Sequence, residues 1–244
     1  MSAADWDNDE WSERLAARFF SPAFAGEPVT FAVDHRTLAD ITNLSEVDAV
    51  DALAAHVREQ VMPGPHFSRV RARADVWQTK GCSGPPPSLS LLALTVVAAS
   101  GMSHFNFYVP LRKLLDPADE GEGVPGDFAT EVPPLWKQLG WWLDEHLAGS
   151  QGLSTIVEHP HFVNIGYSLQ QAILRASDRS LLFRFFRAIG LDPGQETMAP
   201  AELRRALALW SSRQGPRAMR LRRLATDTAL DGLAEVMLAR SAEM

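Results

Sequence analysis

Hydrophobic positions recur along this chain at helical intervals, except in one stretch that has almost no polar positions. Residues 88–102 carry no charge, and their apolar side chains lie all round a helical wheel. A helix apolar on every face belongs either in a large core or in a membrane. The segment 89–99 falls well short of the ~20 apolar residues that a bilayer span needs. A central buried helix over 88–100 is therefore expected, with Ser88 as its N-cap after the stiff Pro85-Pro86-Pro87 run and Gly101 as its stop.

The flanking pattern predicts further helices. In 5–20, Trp11, Leu15 and Phe19 share one face, and Asp7, Asp9 and Glu10 crowd the N-terminal end, where the helix dipole favours anions. Ser45-Glu46-Val47-Asp48 has the form of a capping box ahead of a face made by Val50, Leu53, Ala54, Val57 and Val61. Phe67, Val70, Ala74 and Trp77 mark a helix over 67–78, and Pro133-Pro134 is expected to start another that ends near 147. Helices follow over 168–177 and 178–189, the second with Asp178 as N-cap and Gly190 as C′ residue. Pro200 suits the first position of the next helix, Gly215-Pro216 separates it from an arginine-rich one, and 226–240 is expected to form the last.

The best strand candidate is 29–33, Val-Thr-Phe-Ala-Val, which would pair with 155–157 or with another chain, or be merely extended. The sum is a mainly all-α fold: an irregular bundle of seven to ten helices around the buried helix 88–100, with at most one small β element near 29–33. The Gly/Pro-rich segment 80–87 is the clearest boundary. It divides an acidic helical part, 1–80, from a helical core, 88–244, that ends in arginine-rich helices; a single domain spanning both is the alternative.

Composition narrows the function classes. A hydrophobic fraction of 46% and a charged fraction of 22% describe ordinary globular material. The single cysteine, Cys82, excludes a disulfide within the chain and thiolate zinc or iron–sulfur sites. The acidic start lacks the apolar region of a signal peptide, so a cytoplasmic protein without membrane contact is expected. Three lysines against twenty arginines, together with much Ala, Gly and Pro, suggest a GC-rich bacterial genome.

Phosphate-cradling P-loop, dinucleotide-binding, nucleophile-elbow and zinc-helix motifs are all missing from the sequence, and no cofactor is expected. The catalytic candidate is Glu158-His159-Pro160-His161. Two imidazoles two residues apart in an extended segment point the same way and would hold a metal, with Asp144 or His146 as a third ligand. The plainer reading is a polar loop. Cys82 beside Lys80 is a candidate activated thiol, and Trp136, Trp141 and Trp142 are candidate stacking surfaces. Phe105, Phe107, Trp142 and Phe186 are candidate lining for a small-molecule pocket.

Charge supplies the stronger lead. The net charge of −7 gives no global case for nucleic acid, but its distribution is uneven. Residues 1–61 hold twelve acids and four bases, whereas 203–225 hold seven arginines and no acid: Arg204, Arg205, Arg213, Arg217, Arg220, Arg222 and Arg223. Such a patch suits the phosphates of nucleic acid, an acidic protein partner, or the acidic face of the chain itself. The turn at 214–216 admits a helix-turn-helix reading. The expectation is thus a non-catalytic helical subunit or adaptor that contacts nucleic acid or an acidic protein through this patch. The alternative is a metal-assisted hydrolase using Glu158, His159 and His161.

Overall fold

The three-dimensional structure is a computed structural model, which describes residues 3–21, 29–64, 66–102, 106–146, 153, 165–172, 175–190 and 198–226. The fold is all-α, as the periodicity predicts. The described residues form eleven α-helices: α1 (Asn8–Phe19), α2 (His35–Thr42), α3 (Glu46–His56), α4 (Phe67–Thr79), α5 (Leu89–Ser100), α6 (Tyr108–Leu115), α7 (Phe128–His146), α8 (Gly166–Gln171), α9 (Ala176–Ala188), α10 (Pro200–Ser212) and α11 (Met219–Thr226). The count exceeds the expected seven to ten because α2 and α6, each eight residues long, carry too little periodicity to stand out; the helix expected over 168–177 corresponds to α8, which ends at Gln171. The chain divides into two compact units, Met1–Ala172 and Ile173–Met244.

The first unit is built around α5. Every residue from Leu89 to Ala99 is buried, and α1, α3, α6, α7 and α8 pack on it. Its two most deeply placed polar groups find local partners. The Ser90 hydroxyl donates to Asn8 Oδ1 at 3.0 Å, and the Thr95 hydroxyl donates to the Leu92 carbonyl at 2.7 Å. Ser88 is not the expected cap. It has helical dihedrals, and its buried hydroxyl has no hydrogen-bond partner; the Pro86 carbonyl, accepting from Leu89 N–H at 3.1 Å, turns the chain into the helix instead. Side chains from both sides of the 80–87 segment share one core, from Trp11 and Leu53 to Leu92 and Leu139.

Local chemistry sets the other boundaries. Asp7 caps α1 by accepting from Glu10 N–H at 2.9 Å, so the helix starts later than residue 5. The preceding 3-10 turn, Ala3–Asp5, brings the Trp6 ring within 4.9 Å of Trp11. Asp34 and Thr37 form a reciprocal capping box on α2, and Asn43 ends that helix at φ +56°. Ser45 caps α3 as expected, and α3 continues into a wider π turn, Val57–Val61.

The segment 29–33 forms no strand. Val29 makes one isolated parallel bridge with Leu153, and the 155–157 segment lies outside the described residues. The backbone is satisfied from a side chain instead, with Phe31 N–H donating to Gln171 Oε1 at 2.7 Å.

Helix α7 begins at Phe128 and takes Pro133 and Pro134 into its interior, in place of a start at the prolines. A proline removes one intrahelical hydrogen bond and strains the turn before it, so the first turn must be held from outside. Phe128 packs edge-on against Phe67 at 5.3 Å and Tyr108 at 5.8 Å. The adjoining Asp127 accepts from Phe67 N–H at 2.8 Å and Ser68 N–H at 3.1 Å.

In the second unit α9, α10 and α11 bury Leu182, Phe185, Leu203, Leu207, Leu221 and Leu224. The Phe185 and Trp210 rings meet at 5.6 Å. Helix α9 starts at Ala176, two residues earlier than expected. Asp178 is therefore inside its first turn and reaches back to accept from Arg175 N–H at 3.1 Å. Gly190 takes φ +74° as the helix ends, the left-handed conformation that glycine adopts at least cost. The helix expected over 226–240 lies outside the described residues beyond Thr226.

Candidate functional site

The arginine window folds as two amphipathic helices joined by a tight turn. Helix α10 buries Leu203, Leu207 and Ser211, spaced four residues apart on one face. This leaves Arg205 exposed and Arg204 half-buried and engaged. Arg213 is the C-cap of α10 and is exposed, where its charge also complements the helix dipole. Arg217 stands in the 3-10 turn Gly215–Ala218, which Gly215 opens at φ +71°. Helix α11 buries Leu221, Leu224 and Ala225, so Arg222 and Arg223 face solvent.

Arg220 has a different role. Its guanidinium forms an ion pair with Asp178 of α9, and both side chains are largely buried. Arg175 approaches the same carboxylate. Burial first, and then the Arg220 charge, pulls Arg175 down to about 9 against the attraction of Asp178. It remains cationic at pH 7. Asp178 thus holds two guanidiniums that would otherwise repel each other, and Arg220 belongs to the framework of the unit.

The exposed members of the predicted set are therefore Arg205, Arg213, Arg222 and Arg223, none of which forms an ion pair among the described residues. Sequence reasoning missed a second group on α9, where Arg179, Arg184 and Arg187 are exposed. They are dispersed in and around the apolar stretch 181–189 and form no run of charge, so only the helix brings them to one surface. Across Ile173–Met244 there are twelve arginines against eight acids, a net of +4. Met1–Ala172 has eleven bases against 22 acids, a net of −11.

The chain matches no protein-family model, no curated protein and no solved structure. The site is read from its own geometry.

Other candidates separate clearly. Glu158, His159 and His161 lie outside the described residues. Asp144 and His146 are exposed at the end of α7, where the imidazole stacks on Trp142 at 5.9 Å. No group of three His, Cys, Asp or Glu side chains suited to a metal occurs among the described residues.

Cys82 is buried, contrary to the reading as an exposed, activated thiol. Burial pushes the thiol up, away from the reactive thiolate. Trp136 is buried and stacks on Tyr167 at 5.9 Å, Trp142 is half-buried beside Phe20, and Trp141 is exposed. Phe105 lies outside the described residues, whereas Phe107 packs with Tyr108 and Phe128, and Phe186 with Phe185.

One buried polar cluster in the first unit was not anticipated. Asn8 of α1 donates to the Pro87 carbonyl at 3.0 Å, and its Oδ1 accepts from Ser90 of α5. His56 Nε2 of α3 lies 3.3 Å from the same Oδ1. Burial lowers His56 to about 4 against the pull of Asp7, so the ring is neutral at pH 7 and donates to Asn8 through Nε2. Ser90 donates to Asn8 and not to the imidazole, so the group lacks the hydroxyl–imidazole pair of an activated nucleophile. It acts as a stitch between three helices.

Proposed function

We propose that this chain is a non-catalytic helical subunit or adaptor that holds a polyanionic partner, nucleic acid or acidic protein, on the arginine surface of α10 and α11. The observation that carries this reading is the separation of roles within one arginine-rich window. Arg220 is spent on Asp178, while Arg205, Arg213, Arg222 and Arg223 stand exposed where the sequence from 203 to 225 supplies no acid. Guanidiniums placed in this way form charge-assisted, bidentate hydrogen bonds with phosphate or carboxylate. The net +4 of their unit favours the encounter locally despite the acidic whole.

Fluorescence anisotropy with labelled duplex DNA, single-stranded DNA, RNA and an acidic polypeptide tests the reading. Wild type is compared with a variant carrying Arg→Gln at 205, 213, 222 and 223. Binding of at least one probe by wild type, weakened tenfold or more in the variant, is the expected result. Binding unaffected by all four substitutions would remove this surface from the function.

A further inference from the structure

We infer that the exposed face of α9 is a base-stacking platform for single-stranded nucleic acid, centred on Phe183. This rests on the reading of Ile173–Met244 as a polyanion-binding unit and names its partner. Phe183 is 67% exposed, although α9 has a buried face available in Leu182 and Phe185. Arg179, Phe183 and Arg187 follow at four-residue intervals, so they share one face with the ring between two guanidiniums. Each arginine lies one turn, ~6 Å, from the ring along the axis. Arg184, also exposed, is directed toward the turn that follows α10, where its guanidinium donates to Gln214 Oε1 at 3.3 Å. The cationic flank of the ring thus continues toward the α10–α11 surface within the same unit.

The surroundings of the ring select among partners. On the helix surface, Phe183 is neighboured by Arg179, Ser180, Phe186 and Arg187, and Phe186 is half-buried against Phe185. A protein interface would seat the ring in a well-packed apolar centre, and on α9 Phe183 has only the half-buried Phe186 as an apolar neighbour. Insertion into a membrane interface would need a continuous apolar face on the helix. A single aromatic ring set among arginines fits neither. It suits a nucleobase stacked on the ring while neighbouring phosphates pair with the guanidiniums, a combination used by proteins that hold single strands without sequence preference. Duplex DNA keeps its bases stacked on each other and offers no free face to the ring.

The test is an anisotropy titration of the full chain with labelled oligo-dT, a duplex of equal length and an acidic polypeptide, using wild type, F183A, F183W and R179Q/R187Q. The exposure of all three positions keeps the variants folded, and circular dichroism verifies it. The inference predicts that F183A weakens oligo-dT binding about fivefold or more. F183W should retain or strengthen it, and duplex binding should be unchanged in both. R179Q/R187Q should lower oligo-dT affinity and flatten its salt dependence. Oligo-dT binding equal in wild type and F183A would overturn the platform while leaving the polyanion reading intact. So would tight binding of only the acidic polypeptide. Failure of every probe to bind would overturn both.

Discussion

His56 illustrates how one buried side chain makes stability depend on pH. The folded chain holds it at about 4, against an ordinary value of 6.5. Between those values the unfolded chain binds a proton that the folded chain does not, so stability falls as pH drops from 6.5 towards 4 and levels off below. The expected loss is on the order of 2 kcal/mol, read as a lower urea midpoint at pH 4.5 than at pH 7. Replacing His56 with Gln, which cannot titrate, should remove most of that difference. Asp178 offers a second test at this scale. Asp178→Asn leaves Arg175 and Arg220 close together without their carboxylate, and unfolding should show a loss of about 3 kcal/mol. A loss below about 0.5 kcal/mol would mean that the pair is merely a surface contact.

At the scale of elements, the irregular segment 29–33 depends on α8. Gln171 is fully buried and accepts from Phe31 N–H. Gln171→Ala would leave that donor unsatisfied in the core, a cost of about 2 kcal/mol that thermal denaturation should register. The same contact is why 29–33, legible as extended and apolar, takes the merely extended form and not that of a paired strand. Its Val, Phe and Val are buried as a strand would require, yet a glutamine 140 residues away does the work of a neighbouring strand.

Helix α5 was readable from sequence alone because burial on every face leaves no polar position to misplace. The ends of helices were harder. Ser88 and Asp178 are good capping residues, but Pro86 and Arg175 define those starts, and the side chains face inward. Helix α7 runs through two prolines because Phe128 and Asp127 are anchored by α4 and α6, a tertiary effect that local pattern does not carry. The helix α2 was missed although its Asp34–Thr37 capping box is written in the chain. The arginine set was found as a run of charge. Its division into framework and surface depended on Asp178 lying 42 residues from Arg220.

At the scale of the whole molecule, charge is unevenly divided: a net of −7 conceals units of −11 and +4. Screening is strong beyond ~8 Å at physiological salt, so a polyanion of the proposed kind would respond chiefly to the arginines near it on α10 and α11. No helix of the described residues is long and apolar enough to cross a membrane.

The salt dependence of binding reads out how many of these arginines meet a polyanion. The affinity of wild type for oligo-dT, duplex DNA and polyglutamate would be measured over a series of salt concentrations. At least one nucleic acid or polyglutamate should bind. For duplex DNA, the log–log slope should be about −3.6, from four exposed guanidiniums each releasing a counterion, and should fall towards zero when Arg205, Arg213, Arg222 and Arg223 are replaced by Gln; for oligo-dT, where Arg179 and Arg187 also meet phosphates, the same replacement should make the slope shallower by about 3. Absence of binding to every probe, or a slope that those four substitutions leave unchanged, would contradict the proposed function.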